Sequence, residues 1–295
     1  MESLPPSFDP RALAKLAGLQ LRARRIVEGT IAGLHRSAQR GFSIEFAEHR
    51  EYTAGDDPRY LDWKVHARTD KYYLKQYEDE TNLVCHLVVD QSASMSYQGP
   101  QAVLSKFAYA QCLAAALAWL ILQQQDAVGL LVFDTQIRTR LHPSNASAQL
   151  QRLLQTLEAA QPAGPTRVGQ SLRRVAEQLT KRGVVIILSD LFDDPAELLA
   201  ALRLLHRRHH DLIVLQIVDP AELDFPFDRP TLFRGLEQAQ QMVVDPRSLR
   251  SAYLAELQQF LQRIKRACHE CEITYQLVRT DSDPATILRH VLQRR

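Results

Sequence analysis

A chain of 295 residues carrying 36 basic and 34 acidic side chains, with a formal net charge of +2, is long enough for one large core and ordinary in make-up. That balance argues against nucleic acid or an acidic membrane as the main partner. The longest apolar run, residues 114–122, is about half of the roughly 20 residues a membrane span needs, and the opening MESLPPSFDP has neither a basic start nor an apolar core. No membrane span, no secretory signal and a cytoplasmic location are therefore expected.

Over residues 12–33, Leu13, Leu16, Leu19 and Ile26 recur at helical spacing, with Arg22, Arg24 and Arg25 as a solvated basic face. Residues 40–80 follow with an unusual mixture. Phe42, Ile44 and Phe46 alternate as in a strand, and residues 54–58 (AGDDP) make a turn. Arg59, Asp62, Trp63, His66 and Arg68 then interleave charge with aromatic surface, which predicts an ion-paired segment packed on the main domain. Tyr72, Leu74 and Gln76 read as a second strand.

Residues 83–89 (LVCHLVV) form a strand buried on both faces. It closes at Asp90, and Ser92 and Ser94 complete a D-x-S-x-S pattern at the carboxyl end, where ligands bind in open α/β sheets. One carboxylate and two hydroxyls suit a hard divalent cation such as Mg²⁺. An apolar helix follows within residues 100–125. Residues 127–133 (AVGLLVF) are a second buried strand ending at Asp134, and 137–141 return as an antiparallel edge hairpin.

Helix 146–159 leads to QPAGPTRVGQSL. There Thr166 either caps helix 168–181 or adds a further oxygen for a cation. Residues 184–188 (VVIIL) end in Ser189 and Asp190, which mirrors Asp90. Asp193 and Asp194 precede Pro195 and cap helix 196–208. Beyond it come strand 212–218, an irregular stretch with a small hairpin between 232–233 and 242–244, a helix to about His269, strand 273–278 and helix 284–292. This rhythm predicts an α/β fold with a doubly wound, mainly parallel sheet and helices on both faces. If the strands of Asp90 and Asp190 are neighbours, carboxylates about 6 Å apart repel by roughly 3 kcal/mol at a dielectric near 20. A bound cation or a proton would remove that repulsion.

The stretch GFSIEFAEHREYTAGDDPRYLDWKVHARTD, followed by KQYEDE and VVDQSASM, resembles the bacterial family of domain of unknown function 58. The likeness runs from about Arg25 to the C-terminus and is carried by R-E-Y-x-x-G-D-D-x-R-x-x-D-W. It implies a von Willebrand factor A-like domain over residues 82–295 behind an accessory segment at 1–81. It also implies a metal-dependent adhesion-type interaction site rather than an enzyme, working with a MoxR-type AAA+ ATPase. The ligands it implies are Asp90, Ser92, Ser94, Thr166 and Asp190, with Mg²⁺ the expected ion and Mn²⁺ or Ca²⁺ as substitutes. One coordination position would stay open for an acidic side chain of a partner. Pro165 and Arg167 depart from the small or acidic neighbours usual in that loop, so Arg167 is expected to turn outward or meet a partner carboxylate. Many relatives carry membrane spans near the N-terminus, and this sequence shows none.

The competing reading is a metal-assisted phosphoesterase or hydrolase using the same oxygens. It needs a second metal or a histidine base, for which His66 and His142 are the candidates. No G-x-S-x-G, G-x-x-x-x-G-K-[ST] or H-E-x-x-H is present. Cys85 and Cys112 read as buried thiols, and the Cys268/Cys271 pair lacks the further ligands a zinc site needs.

Overall fold

The computed structural model of the chain describes residues 16–37, 50–51, 73–74, 83–165, 167–237 and 241–293. Contacts divide the chain into two units, Met1–Leu34 with Leu83–Arg295, and His35–Asn82. In the second unit, β1 (Arg50–Glu51) pairs antiparallel with β2 (Tyr73–Leu74). Phe42, Ile44, Phe46, the turn at 54–58, Arg59, Asp62, Trp63, His66, Arg68, Tyr72 and Gln76 lie outside the described residues.

In the main unit, the apolar runs become β3 (Val84–Asp90), β4 (Ala127–Phe133), β6 (Val184–Ser189) and β7 (Asp211–Val218). Strands without a polar face must be covered on both sides, and these occupy the middle of a six-stranded sheet. Its edges are β5 (Ile137–Ser144), antiparallel to β4, and β10 (Thr274–Arg279), parallel to β7; the order is β10-β7-β6-β3-β4-β5. β8 (Thr231–Arg234) and β9 (Gln241–Val244) form a separate antiparallel hairpin.

Alternation along each strand sends neighbouring side chains to opposite layers. Leu87, Val89, Leu130, Val132, Ile186 and Leu188 face one core. It contains residues of α1 (Leu19–Ser37), α2 (Lys106–Gln123), α3 (Gln149–Ala159) and, from the other end of the chain, α8 (Pro284–Gln293). Val88, Leu131, Phe133, Val185 and Ile187 face the other core. There they meet α4 (Val168–Gln178), α5 (Pro195–Arg207) and α7 (Pro246–Glu270). The short α6 (Pro220–Asp224) sits between β7 and the hairpin in sequence.

The first helix belongs with the main unit rather than with an accessory segment at 1–81. Leu19, Ala23, Ile26 and Val27 enter the first core, and the Leu19 amide donates to Glu158 Oε1 at 2.9 Å. A helix with an apolar stripe joins the core that can bury it, which moves the division between the units to His35. Among the described residues α2 is the one helix long and apolar enough to cross a membrane. Here it is the central core helix, and its alanines at 110, 114, 115, 116 and 118 are all buried.

Gly183 marks where the amino ends of β3 and β6 approach most closely: a Cβ there would stand 2.3 Å from the Val84 carbonyl oxygen. Gly183→Ala must push backbone aside, at a cost of ~1–3 kcal/mol. Scanning calorimetry should show the melting temperature falling by several degrees. An unchanged transition would mean the two strands stand further apart than described.

Candidate metal centre

Four adjacent strands, β4, β3, β6 and β7, each run out into an aspartate: Asp134, Asp90, Asp190 and Asp219, all buried. β3 and β6 pair in parallel with Val89 opposite Leu188, so Asp90 comes level with Ser189 and Asp190 follows one residue on, both at the point where the winding reverses. What surrounds each carboxylate differs, and that difference defines the site.

Asp90 Oδ1 accepts from the Ser92 amide at 2.8 Å, and Oδ2 accepts from Ser189 Oγ at 2.6 Å. The chain then turns through one 3-10 turn, Ala93–Ser96, that leaves the Ser92 and Ser94 hydroxyl oxygens 3.0 Å apart. Ser92 is buried and Ser94 half-buried. Burial and the neighbouring Asp190 push the Asp90 carboxyl up to about 7, against the hydrogen bonds from Ser189 and Ser92 that pull it down. Among the described residues, no ammonium or guanidinium pairs with it.

The loop after α3 is laced to this turn from both sides. The Ala163 amide donates to the Gln91 carbonyl, and the Ala93 amide donates to the Gly164 carbonyl, each at 2.9 Å. Thr166 itself lies outside the described residues. Arg167 is exposed at the start of α4 and makes no side-chain cap, in keeping with the outward orientation expected for it.

Asp190 has an internal counter-ion. Lys106, the first residue of α2, is fully buried and its Nζ donates to Asp190 Oδ2 at 2.8 Å and to Glu222 Oε1 at 2.7 Å. The same ammonium lies 5.1 Å from the centre of the Phe192 ring. Burial alone would lower the Lys106 pKa, but Asp190 and Glu222 outweigh it and hold the group above its ordinary value. Glu222 is held up by burial, opposed by Lys106. Leu191 takes a left-handed φ of 60°, and the Phe192 amide returns to Asp190 Oδ1 at 3.2 Å.

The outer two aspartates are already engaged. Asp134 Oδ2 accepts from Arg138 Nε at 2.6 Å and Oδ1 from the Gln136 amide at 3.0 Å. Asp219 caps α6 through Ala221, accepts from the Gly99 amide at 2.9 Å, and its own amide donates to Glu222 Oε2 at 2.9 Å.

The sequence reading offered a cation or a proton as the answer to the Asp90–Asp190 repulsion. The structure adds a third, the Lys106 ammonium. A signal was available: Lys106 is the one charged residue in KFAYAQCLAAALAWLILQ. A lysine at the head of an otherwise uncharged core helix needs a buried partner. Asp219 and Glu222 carried no such signal, because D-P-x-E before a short helix reads as a cap alone.

The oxygens at Asp90 fit a small hard ion. Two cis ligands of an octahedral Mg²⁺ shell, each at 2.0–2.1 Å from the metal, are about 2.9 Å apart. The Ser92 and Ser94 oxygens match that spacing. No three His, Cys, Asp or Glu side chains among the described residues cluster to hold an ion by themselves, so hydroxyls would be needed. His142 is not near. It is exposed on β5 beyond Leu141, which pairs with Leu130, about 10 Å along the strand from the end that carries the site. His66 lies outside the described residues. At the far end of α7, burial pushes the Cys268 thiol up to about 12, and Cys268 and Cys271 are both free.

Counted in chain order, the sheet reads 3-2-1-4-5-6 with its third strand antiparallel on one edge, and helices cover both faces. This is a von Willebrand factor A-like α/β domain. The chain belongs to the family described as Protein of unknown function DUF58, which matches residues 48–261. It is similar to uncharacterized proteins of Mycobacterium bovis and Mycobacterium tuberculosis, at 29% identity over 304 residues, covering 99% of this chain and 94% of each relative. Among solved structures it is similar to the conserved hypothetical protein BatB from Bacteroides thetaiotaomicron, at 15% identity and a TM-score of 0.49, covering 72% of this chain and 98% of that one. It is also similar to the SpRpn10 VWA domain, at 9% identity and a TM-score of 0.39, covering 70% and 93%.

Two outcomes follow from the charges. Lys106→Met leaves Asp190 and Glu222 buried without a counter-ion and should cost ~3–5 kcal/mol, read as a lower urea midpoint; an unmoved midpoint would mean the triad is not formed. For Asp90, the folded protein holds its proton more tightly than the unfolded chain. Its contribution is therefore full below about pH 4 and is lost as the pH rises through about 7. In chelator, wild type should lose a few kcal/mol relative to Asp90→Asn across that window. Parallel pH profiles would contradict this.

Proposed function

We propose that the domain is a metal-dependent protein-interaction module, placed in the cytoplasm and working with a MoxR-type AAA+ ATPase in the assembly or remodelling of protein complexes. The observation that carries the reading is the pair of serine oxygens 3.0 Å apart beside Asp90, a buried strand-end carboxylate that has no cationic partner among the described residues. Asp90, Ser92 and Ser94 would hold the ion, with Thr166 as a further hydroxyl and Asp190 acting from behind. Bound Mg²⁺, or Mn²⁺ or Ca²⁺ in its place, would supply an open coordination position for an acidic side chain of the partner.

The residues of the chain divide the remaining work. Ser189 and the Ser92 amide fix both oxygens of Asp90, so the carboxylate is oriented before an ion arrives. Lys106 balances Asp190, which leaves Asp90 as the nearest uncompensated charge. A site with few full negative charges around the ion keeps it attractive to an incoming carboxylate. The hydrolase alternative would need a base near this turn, and the geometry of His142 gives it no support.

Calorimetric titration of Mg²⁺ tests the reading. Wild type should bind one ion, Asp90→Ala should lose binding altogether, and the variant should keep its sheet by circular dichroism. Retained binding in Asp90→Ala would sink the assignment. Capture of a MoxR-type ATPase by the immobilised chain should disappear in chelator; capture indifferent to chelator would separate that partnership from the ion.

A further inference from the structure

Large apolar side chains are unevenly spread over the surface. Of the eight exposed among the described residues, five lie on the β8–β9 hairpin, its turn or the start of α7: Leu232, Leu236, Met242, Val243 and Leu249. Val243 is 72% exposed and Met242 61%. Scattered exposed hydrophobics need no explanation, but a concentration of this kind marks a contact surface.

Met242 and Leu249 also line a groove of about 340 Å³ whose walls are Tyr97, Phe225, Phe227, Phe233 and Tyr253. The rings are already packed on one another. Phe225 stacks on Phe233 with centroids 5.8 Å apart and meets Tyr253 at 4.8 Å, while Phe227 stands edge-on to Phe233 at 5.4 Å. The groove therefore exists before anything enters it.

Its chemistry selects the occupant. Glu222 is the carboxylate in the wall, and both its oxygens are taken, by Lys106 Nζ and by the Asp219 amide. A cationic ligand would find no free charge, so the groove suits a neutral apolar or aromatic body. Leu232 and Val243 pair across the hairpin and project from the face opposite Phe233 and Met242, so what selects a protein segment as the occupant is the position of the groove beside the candidate ion site.

The groove is also continuous with the candidate ion site. Tyr97 follows directly on the turn Ala93–Ser96 that carries Ser94. Glu222 is joined through Lys106 to Asp190. We infer that the groove is the second contact of the partner that docks at the ion. The partner would be a protein segment carrying a large apolar side chain a short distance in sequence from the acidic residue that meets the metal. This rests on the metal-dependent reading above.

Fluorescein-labelled peptides with one Glu and one Trp at each short spacing in a Gly-Ser background, titrated against the full chain by anisotropy, test it. One spacing should bind best in Mg²⁺. Replacing its Trp with Ala, replacing its Glu with Gln, adding EDTA, or using a Met242→Glu chain with an unchanged melting curve should each weaken binding about tenfold or more. Binding that needs Glu and Mg²⁺ but ignores both Trp and Met242→Glu overturns the groove and leaves the ion site standing. Binding that needs Trp and Met242 but ignores EDTA supports the groove and removes the ion. The groove proposal is also overturned by no binding at about 1 mM peptide. Loss in Met242→Glu of sedimentation with phosphatidylglycerol vesicles, or of dimerisation, would likewise reassign the patch and overturn it.

Discussion

A fully buried ammonium held between two acids sets the character of the whole upper rim of the sheet. Four parallel-running strands deliver four aspartates to the same edge, and burying that much like charge would be prohibitive without compensation. Each aspartate is compensated by different means: a guanidinium for Asp134, an ammonium for Asp190, a helix cap for Asp219, and only hydroxyl and amide donors for Asp90. Asp90, which burial and the neighbouring Asp190 push up to about 7, is the one beside the two converging serines. Asp90 and Asp190 stand at neighbouring strand ends, but Lys106 pairs with Asp190 while Asp90 is met by the Ser189 hydroxyl and the Ser92 amide.

The Asp90 turn is rigid for reasons that do not depend on an ion. Ser189 Oγ donates to the Asp90 carboxylate and accepts from the Leu191 amide, so the two switch-point loops share one hydroxyl. Hydrogen bonds to Ala163 and Gly164 hold the turn from the opposite side. Oxygens kept in place by backbone contacts lose little freedom on binding, and preorganisation of that kind raises affinity without adding contacts.

Much of this could be read from residues, and what could not has identifiable causes. Runs such as AVGLLVF and VVIILS leave no polar face, so only a doubly covered strand satisfies them, and β4 and β6 fall where the runs do. Asp90 and Asp190 as paired strand ends were legible for the same reason. Residues 137–141 were read as the edge strand, but β5 continues to Ser144 through Pro143; the register shifts between Val128 and Leu130 beside it, an irregularity no alternation pattern encodes. The turn Ala93–Ser96 and α6 were missed because four- and five-residue helices show no period. Lys106 beside a serine reads as solvent-facing unless it is weighed as the one charge of an otherwise uncharged core helix, and its burial places it in the site. The boundary at residue 81 placed α1 outside a core it in fact helps to build.

That last arrangement bears on how the chain is made. Leu19, Ala23, Ile26 and Val27 from near the start share one core with Ala285, Ile287, Leu288 and Val291 from near the end. On a ribosome the two ends emerge far apart in time, so α2, the most apolar helix, travels through most of synthesis with part of its cover still missing. Tyr109 at the head of α2 makes its hydrogen bond to the Ser282 carbonyl only after the segment leading into α8 has been made. Completion of the domain thus waits for α8, and a nascent chain stalled before it would present chaperones with the helix that the folded domain hides best.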